Sequence, residues 1–354
     1  MTSEFWRGRR VLVTGHTGFK GGWLALWLQK HGAIVHGYAT EPPTVPSLFH
    51  EAHVAAGLAA NVIADVRDAG TLAAAVQAAA PEVVFHLAAQ SLVRLSYAQP
   101  VETYAVNVLG TVHLLDAVRR VGSVRAIVNV TSDKCYENHE QDRAYREDDA
   151  LGGHDPYSSS KACAELVTAA YRKSFLEAAG IAVATARAGN VIGGGDWAAD
   201  RLIPDCLRAF EAGKPVALRA PESTRPWQHV LEPVAGYLLL AQRLHEAGPD
   251  YAGSWNFGPT GNDVWSVGRV VDRVVEQVPG LRRVLAPQAG PHEARRLGLD
   301  SSKANSRLHW QPRWDVAGAI DHTLAWYRAW REGADMHALS LAQIDAYERT
   351  ATGA

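Results

Sequence analysis

"RVLVTGHTGFKGGW", Arg10 to Trp23, joins a short β-rich run to a longer apolar-striped segment through three spaced glycines. Gly15, Gly18 and Gly21 stand at G-x-x-G-x-x-G spacing, with Thr17 and Phe19 between them. In a strand-turn-helix unit each glycine has its own task. The first permits a tight turn, the second lets a pyrophosphate approach the backbone, and the third allows the helix to pack closely on the strand. Three spaced glycines alone are a weak signal, because ordinary turns use glycine too. Here the preceding strand, the following helix and the position in the first such unit all agree, so the stretch predicts a dinucleotide site.

Working outward, "AIVHGYA", "NVIADV", "PEVVFHLA", "RAIVNVTS" and "IAVATARA" are short runs suited to burial on both faces. They alternate with helical segments such as "AGTLAAAVQAAA" and "VETYAVNVLGTVHLLDAVRRVG". That alternation predicts a parallel sheet covered by helices, and right-handed crossovers make it an α/β doubly wound fold of Rossmann type. After about Gly189 the pattern breaks. "NVIGGGDW" and "RAPESTRPWQHV" are rich in Gly, Pro and Trp, and eight of the eleven tryptophans lie beyond position 190. The expectation is an NAD-binding Rossmann domain over residues 1–189, rejoined by segments near 230–262. Residues 190–354 are expected to form mainly a smaller substrate-binding lobe over the sheet's carboxyl edge.

The 354 residues carry a formal charge of −2, which gives no bulk attraction for nucleic acid or anionic membrane. Three cysteines, Cys135, Cys163 and Cys206, form no paired framework and no metal-ligand spacing, which suits a reducing compartment. The fifteen histidines include no H-x-x-x-H pair, so no metal site is expected. With a polar N-terminus and no apolar run of spanning length, the expected location is the cytoplasm.

The end of the second strand, "HGYATEPP", offers Tyr38, Thr40 and Glu41, with Glu41 near the distance expected of a ribose-binding carboxylate. No Arg or Lys stands there to meet a 2′-phosphate, which favours NAD over NADP. Asp65 in "ADVRD" could accept from an adenine amino group, the ordinary alternative being a helix cap.

"DPYSSSKACAELV" sets Tyr157 and Lys161 four residues apart, on one face of a helix opened by Asp155 and Pro156. An ammonium beside a phenol is expected to lower its pKa from about 10 towards working pH. Such a tyrosine can take a hydroxyl proton while hydride leaves the same carbon for a nicotinamide. A second cluster lies in "NVTSDKCYEN", where Ser132, Asp133 and Lys134 follow one another at the end of an apolar run. A turn needs only one polar residue. Three with different proton affinities point to acid-base work, against the ordinary alternative of an exposed Asp-Lys turn.

"VLVTGHTGFKG", "FHLAAQSLVRLSY", "TSDKCY", "YSSSK" and "ARAGNVIGGGDW", in this order, resemble the extended short-chain dehydrogenase/reductase family. Within it the chain is most similar to nucleotide-sugar 4,6-dehydratases, and through "RPWQHVLEPVAGYLLLA" and "PHEARRLGLDSSKA" to those acting on CDP-glucose. The resemblance implies an NAD-dependent hydro-lyase that forms CDP-4-dehydro-6-deoxy-glucose. C4 is oxidised, water is lost across C5 and C6, and hydride returns to C6. The alternative is a nucleotide-sugar 4-epimerase, or a dehydratase acting on another nucleotide-glucose. An epimerase needs Tyr157, Lys161 and Ser132 but not Asp133 and Lys134, and a non-catalytic nucleotide sensor needs neither set.

Carried onto this sequence, the resemblance implies Tyr157 as base at the C4 hydroxyl and Lys161 as its electrostatic partner and ribose contact. Ser132 is implied as a hydrogen-bond donor to the C4 oxygen, and Asp133 as the acid at the C6 hydroxyl. Lys134 stands where enzymes acting on dTDP- and GDP-sugars carry a glutamate base, a departure the CDP-glucose enzymes share. A lysine takes a proton only when neutral, and its ordinary pKa is about 10.4. Lys134 is therefore either the C5 base, facing a protonated Asp133, or an orienting group. The implied cofactor contacts are Gly15, Thr17, Gly18, Phe19, Gly21, Asp65, Val66, Ala88, Ala89, Asn107, Tyr157 and Lys161. The implied substrate contacts are Gln90, Ser91, Arg94, Asn190, Arg201, Arg225 and Arg295, with Arg296 beside it. A surface salt bridge is the ordinary alternative for Arg94, and a turn-stabilising role for Asn190. Trp197 and Trp227 could stack on cytosine, although tryptophan in such segments is mostly lobe core. Family likeness also implies a homodimer or homotetramer built on the "VETYAVNVLGTVHLL" and "YSSSKACAELVTAAY" helices.

Overall fold

Seven parallel strands, β1 (Arg10–Thr14), β2 (Ile34–Ala39), β3 (Leu58–Ile63), β4 (Val83–His86), β5 (Ala126–Val130), β6 (Ala182–Ala188) and β7 (Gly253–Phe257), form one sheet in the order β7-β6-β5-β4-β1-β2-β3. The computed structural model describes residues 3–259, 263–286 and 296–350. The doubly wound α/β expectation is met. In β1, Val11 and Val13 join one core and Leu12 the other; Phe85 and Val84, and Val128 and Ile127, divide in the same way. Both faces are covered, so these strands read as unbroken apolar runs. The edge strand β3 differs from the two-sided burial expected of it. Its residues alternate between half-buried and exposed, as in a strand at the sheet's edge with one face open to solvent. β7, not singled out from the sequence as a strand, pairs with β6 from Gly253↔Ala184 to Phe257↔Ala188.

One face is covered by α2 (Ala69–Ala79) and α4 (Gly110–Val118), which bury Leu72, Val76, Leu114 and Leu115. Each such side chain contributes about 1.5–3 kcal/mol. α3 (Pro100–Tyr104) runs into α4 through a π-helical turn (Ala105–Leu109), and α5 (Pro156–Tyr171) lies beside them. On the other face α1 (Phe19–Lys30) and α6 (Leu231–Ala247) bury Trp23, Leu24, Trp27, Val234 and Leu238. The C-terminal helices α7 (Val316–Arg331) and α8 (Met336–Arg349) add to that side. Glu348 accepts from Trp27 Nε1 and Lys30 Nζ, each at 2.8 Å, and contacts His31 Nε2 at 2.6 Å. Glu232 of α6, fully buried, accepts from the Trp314 N–H at 2.8 Å, the Arg313 N–H at 3.1 Å and the Tyr347 hydroxyl at 2.6 Å.

Over the sheet's carboxyl edge, strand pairs are short. Val216–Leu218 lies beside Arg283–Leu285, Thr224–Arg225 beside Trp265–Ser266, and Val191–Ile192 beside Gln228–His229. No described helix is long and apolar enough to cross a membrane.

Candidate active site

The carboxyl ends of β1, β2, β4, β5 and β6 open into a cavity of about 820 Å³, where an open parallel sheet leaves its crevice. The glycine loop forms one end. Gly15 has φ +80°, and a Cβ there would meet the Ala88 nitrogen at 2.7 Å. A Cβ on Gly21 would lie 2.0 Å from the Gly15 carbonyl oxygen, so loop and helix touch backbone to backbone. Gly18 caps α1 without a side-chain hydrogen bond, which leaves the first N–H groups of the helix to the cavity. Thr17, Phe19, Asp65, Val66, Ala88 and Ala89 line the same region, as do Thr40, Pro43 and Thr44 after β2. No basic residue stands among those last three, and Glu41 lies exposed outside the cavity. The donors and the space fit NAD.

The acid-base groups meet beyond this cradle. Asp155 caps α5, accepting from the Ser158 N–H at 2.9 Å, and Pro156 takes the first helical position. Tyr157 and Lys161 then face inward, buried at 7% and 6% exposure. Ser132, Asp133 and Lys134 arrive from the end of β5 on a short turn packed against α5. Ser132 Oγ donates to Asp133 Oδ1 at 3.0 Å, accepts from the Lys134 N–H at 3.1 Å, and lies within hydrogen-bonding reach of Tyr157. Asp133 Oδ2 is buried without a hydrogen-bond partner among the described residues. A Cβ on Gly189 would meet that oxygen at 3.1 Å and the Pro226 ring at 2.2 Å, so glycine lets β6 end close behind the carboxylate.

The electrostatics depart from expectation. Burial pushes the Tyr157 phenol up to about 12, with the Ser132 hydrogen bond and then Arg201 pulling the other way. Lys161 falls to about 8, chiefly by burial, while Glu165 and Cys135 oppose the drop. Its ammonium donates to the Val130 carbonyl at 3.3 Å. Desolvation thus dominates both groups, raising the phenol instead of lowering it as the sequence suggested.

The remaining expected residues divide. Gln90, Ser91, Arg94, Asn190, Arg201 and Arg225 line the cavity. Arg201 contacts Asp196 and Ser91 at 3.3 Å each, and Arg94 lies 3.6 Å from Asp200. The Gln90 amide is committed to its own loop, bonding Thr103 Oγ1 at 2.9 Å and Leu92. Asn107 does not line the cavity. It sits one layer behind, binding the Gln90 backbone on both sides and Ser160 Oγ at 2.8 Å. Asp65 pairs with Arg67, and the cap of α2 is Asp68 instead. Trp197 packs edge-on against Trp326, Tyr327 and Trp330, and Trp227 is buried, donating to the Trp265 carbonyl at 3.1 Å. Arg296 pairs with Asp142 outside the cavity, and Arg295 lies outside the described residues.

One cavity residue escaped the sequence reading. Lys20, half-buried on the first turn of α1, reaches within 3.3 Å of the Tyr237 hydroxyl. Desolvation, then Arg201 and Lys161, lower it to about 7, with Asp133 opposing. The signal was its spacing: Lys20, Trp23 and Trp27 share the inward face of the helix.

The family described as GDP-mannose 4,6 dehydratase matches residues 12–323. A CDP-glucose 4,6-dehydratase of Salmonella typhimurium is 51% identical over 355 residues, covering 99% of both proteins. A dTDP-glucose 4,6-dehydratase of Streptomyces griseus is 31% identical over 72% of this chain and 75% of its own. Among solved structures, MoeE5 in complex with UDP-glucose and NAD superposes with a TM-score of 0.76 at 26% identity, over 91% of this chain and 99% of that one. The dTDP-glucose 4,6-dehydratase of Bacillus anthracis in complex with NAD shares the fold at 21% identity, with a TM-score of 0.75 over 92% of this chain and 99% of that one. The glycine cradle, the two acid-base clusters around one cavity and these likenesses agree, and the chain belongs to the GDP-mannose 4,6 dehydratase family.

Proposed function

We propose that this chain catalyses the NAD-dependent dehydration of CDP-glucose to CDP-4-dehydro-6-deoxy-glucose. The observation that carries it is the meeting of Tyr157–Lys161 and Asp133–Lys134 around one cavity that the glycine loop also enters. The 51% identical relative named for this activity supports the choice of nucleotide. Functionally the chain divides near residue 189, the dinucleotide end before it and most substrate contacts after it.

The glycine loop would hold the pyrophosphate of NAD, Asp65 and Val66 would flank its adenine, and Lys161 would meet its ribose. NAD, when bound, supplies the nicotinamide that takes hydride from C4 and gives it back to C6. Tyr157, whose burial-raised phenol must first be ionised by the positive charge of NAD and of the Lys161 ammonium, takes the C4 hydroxyl proton, assisted by Ser132. Lys134 removes the C5 proton made acidic by the neighbouring ketone, and Asp133 gives its proton to the departing C6 hydroxyl, which leaves as water. The C5 proton is replaced as C6 is reduced, so the net change is loss of one water with no net redox. Asn190, Arg201 and Arg225 orient the sugar diphosphate.

Incubation with NAD and CDP-, UDP-, GDP- or dTDP-glucose, with assay for a 4-keto-6-deoxy sugar, tests the reading. CDP-glucose is expected to be converted fastest. Consumption without that product moves the activity to epimerisation or simple oxidation, and preference for another nucleotide overturns the substrate.

We further propose a homodimer, or a homotetramer built from it, across α3, α4 and α5. Val101 on α3 is 77% exposed, Leu109 in the π-helical turn 52% and Leu166 on α5 60%. Three free cysteines, with Cys135 and Cys206 buried, suit a cytoplasmic setting.

A further inference from the structure

Glu165 lies two turns beyond Lys161's neighbour Tyr157, on the same face of α5, and is 3% exposed; Arg187 on β6 is 2% exposed. Arg187 Nε and Nη2 donate to the two carboxylate oxygens of Glu165 at 2.9 and 2.8 Å, a bidentate pair. Glu165 also accepts from Thr131 Oγ1 at 2.5 Å, Thr185 Oγ1 at 2.7 Å and Ser254 Oγ at 3.2 Å. Arg187 Nη1 donates to the Tyr136 hydroxyl at 2.7 Å, and its guanidinium lies 4.8 Å from the Tyr136 ring centre. Tyr136 in turn donates to Asn256 Oδ1 at 2.7 Å.

Thr131 directly precedes Ser132, and Tyr136 follows Lys134 by two residues. The pair therefore grips the acid-base segment on both flanks, while Glu165 itself stands on the helix that carries Tyr157 and Lys161. A buried ion pair is a poor source of net stability, because apolar replacement of both partners is often neutral or better. What this one provides is fixed geometry between two elements. Resting on the dehydratase function proposed above, we propose that Glu165 and Arg187 are positioning residues that set the distance between the C4 groups and the C5/C6 groups, so that elimination follows oxidation.

The test compares wild type, Glu165→Gln and the doubly neutral Glu165→Leu/Arg187→Met protein. Three quantities are read: reduced-nicotinamide absorbance in a single turnover of CDP-glucose, solvent deuterium uptake at C5, and dehydrated product. Thermal melting is followed alongside. Glu165→Gln is expected to keep the absorbance step and an unchanged KM, but to lose about 100-fold in C5 exchange and product, the cost of displacing a proton-transfer group by about 1 Å. The double variant is expected to melt close to wild type and still show the split. If the double variant recovers both stability and product formation, or if the variants slow oxidation and elimination by the same factor, the positioning role is overturned. Failure of wild type to dehydrate CDP-glucose overturns the underlying function instead.

Discussion

Glu232 offers a quantitative handle on this fold. Its carboxyl is fully buried under the C-terminal helices, and burial lifts it from 4.5 to about 7, with the Tyr347 hydroxyl and the N–H groups of Trp314 and Arg313 opposing. The folded protein therefore keeps a proton that the unfolded chain gives up near pH 4.5. Stability from this group is fully present below about pH 4.5 and is lost as pH rises to about 7. That difference in affinity corresponds to about 3 kcal/mol. Glu232→Gln removes the charge while its carbonyl can still accept from Trp314. Urea melts of both proteins across pH 5 to 8 give the difference free of every other titrating group. The two should be nearly equally stable at acid pH, and the variant more stable by about 3 kcal/mol above neutrality. A difference that stays flat with pH, or one that turns against the variant between pH 5 and pH 8, would refute the reasoning.

Other outcomes follow from the cavity. Lys134→Ala should leave NAD affinity unchanged by calorimetry while lowering dehydrated product by about 100-fold or more. Gly21→Ala must move a backbone oxygen that would lie 2.0 Å from the new methyl group, so it should cost about 1–3 kcal/mol of stability and weaken NAD binding by tenfold or more on about the same energy scale. Leu166→Glu, on the exposed side of α5, should shift the protein to monomers in light scattering without lowering the melting temperature.

The sheet was legible because burial on both faces leaves a one-dimensional mark, unbroken runs such as Ala126–Val130 separated by helical stripes. The glycine loop and the Tyr157–Lys161 pair were legible for the same reason, since each needs only local spacing. What stayed hidden depends on contacts between distant segments. Helical spacing puts Lys20 on the inward face, but its lowered affinity for a proton comes from burial and from Arg201 and Lys161, which spacing does not encode. Glu165 and Arg187 lie on distant segments, and only the packing of α5 on β6 makes them a pair. Asn107 was expected at the cofactor and instead braces the loop before it, a one-layer displacement that periodicity cannot resolve. The phenol's raised pKa is likewise a property of depth, which spacing does not encode.

The cavity draws its walls from several separate stretches of chain, with Gln90, Ser91 and Arg94 ahead of the acid-base segment. Its proton-handling groups lie between Ser132 and Lys161, whereas Asn190, Arg201 and Arg225 come later, on segments tied to each other by two-residue and three-residue strands. Such short ladders tolerate insertion and exchange better than a seven-stranded sheet does. On the proposed assignment, these later loops are the place to vary nucleotide recognition while the reaction centre keeps its dimensions, which would make this enzyme a practical chassis for altered sugar donors.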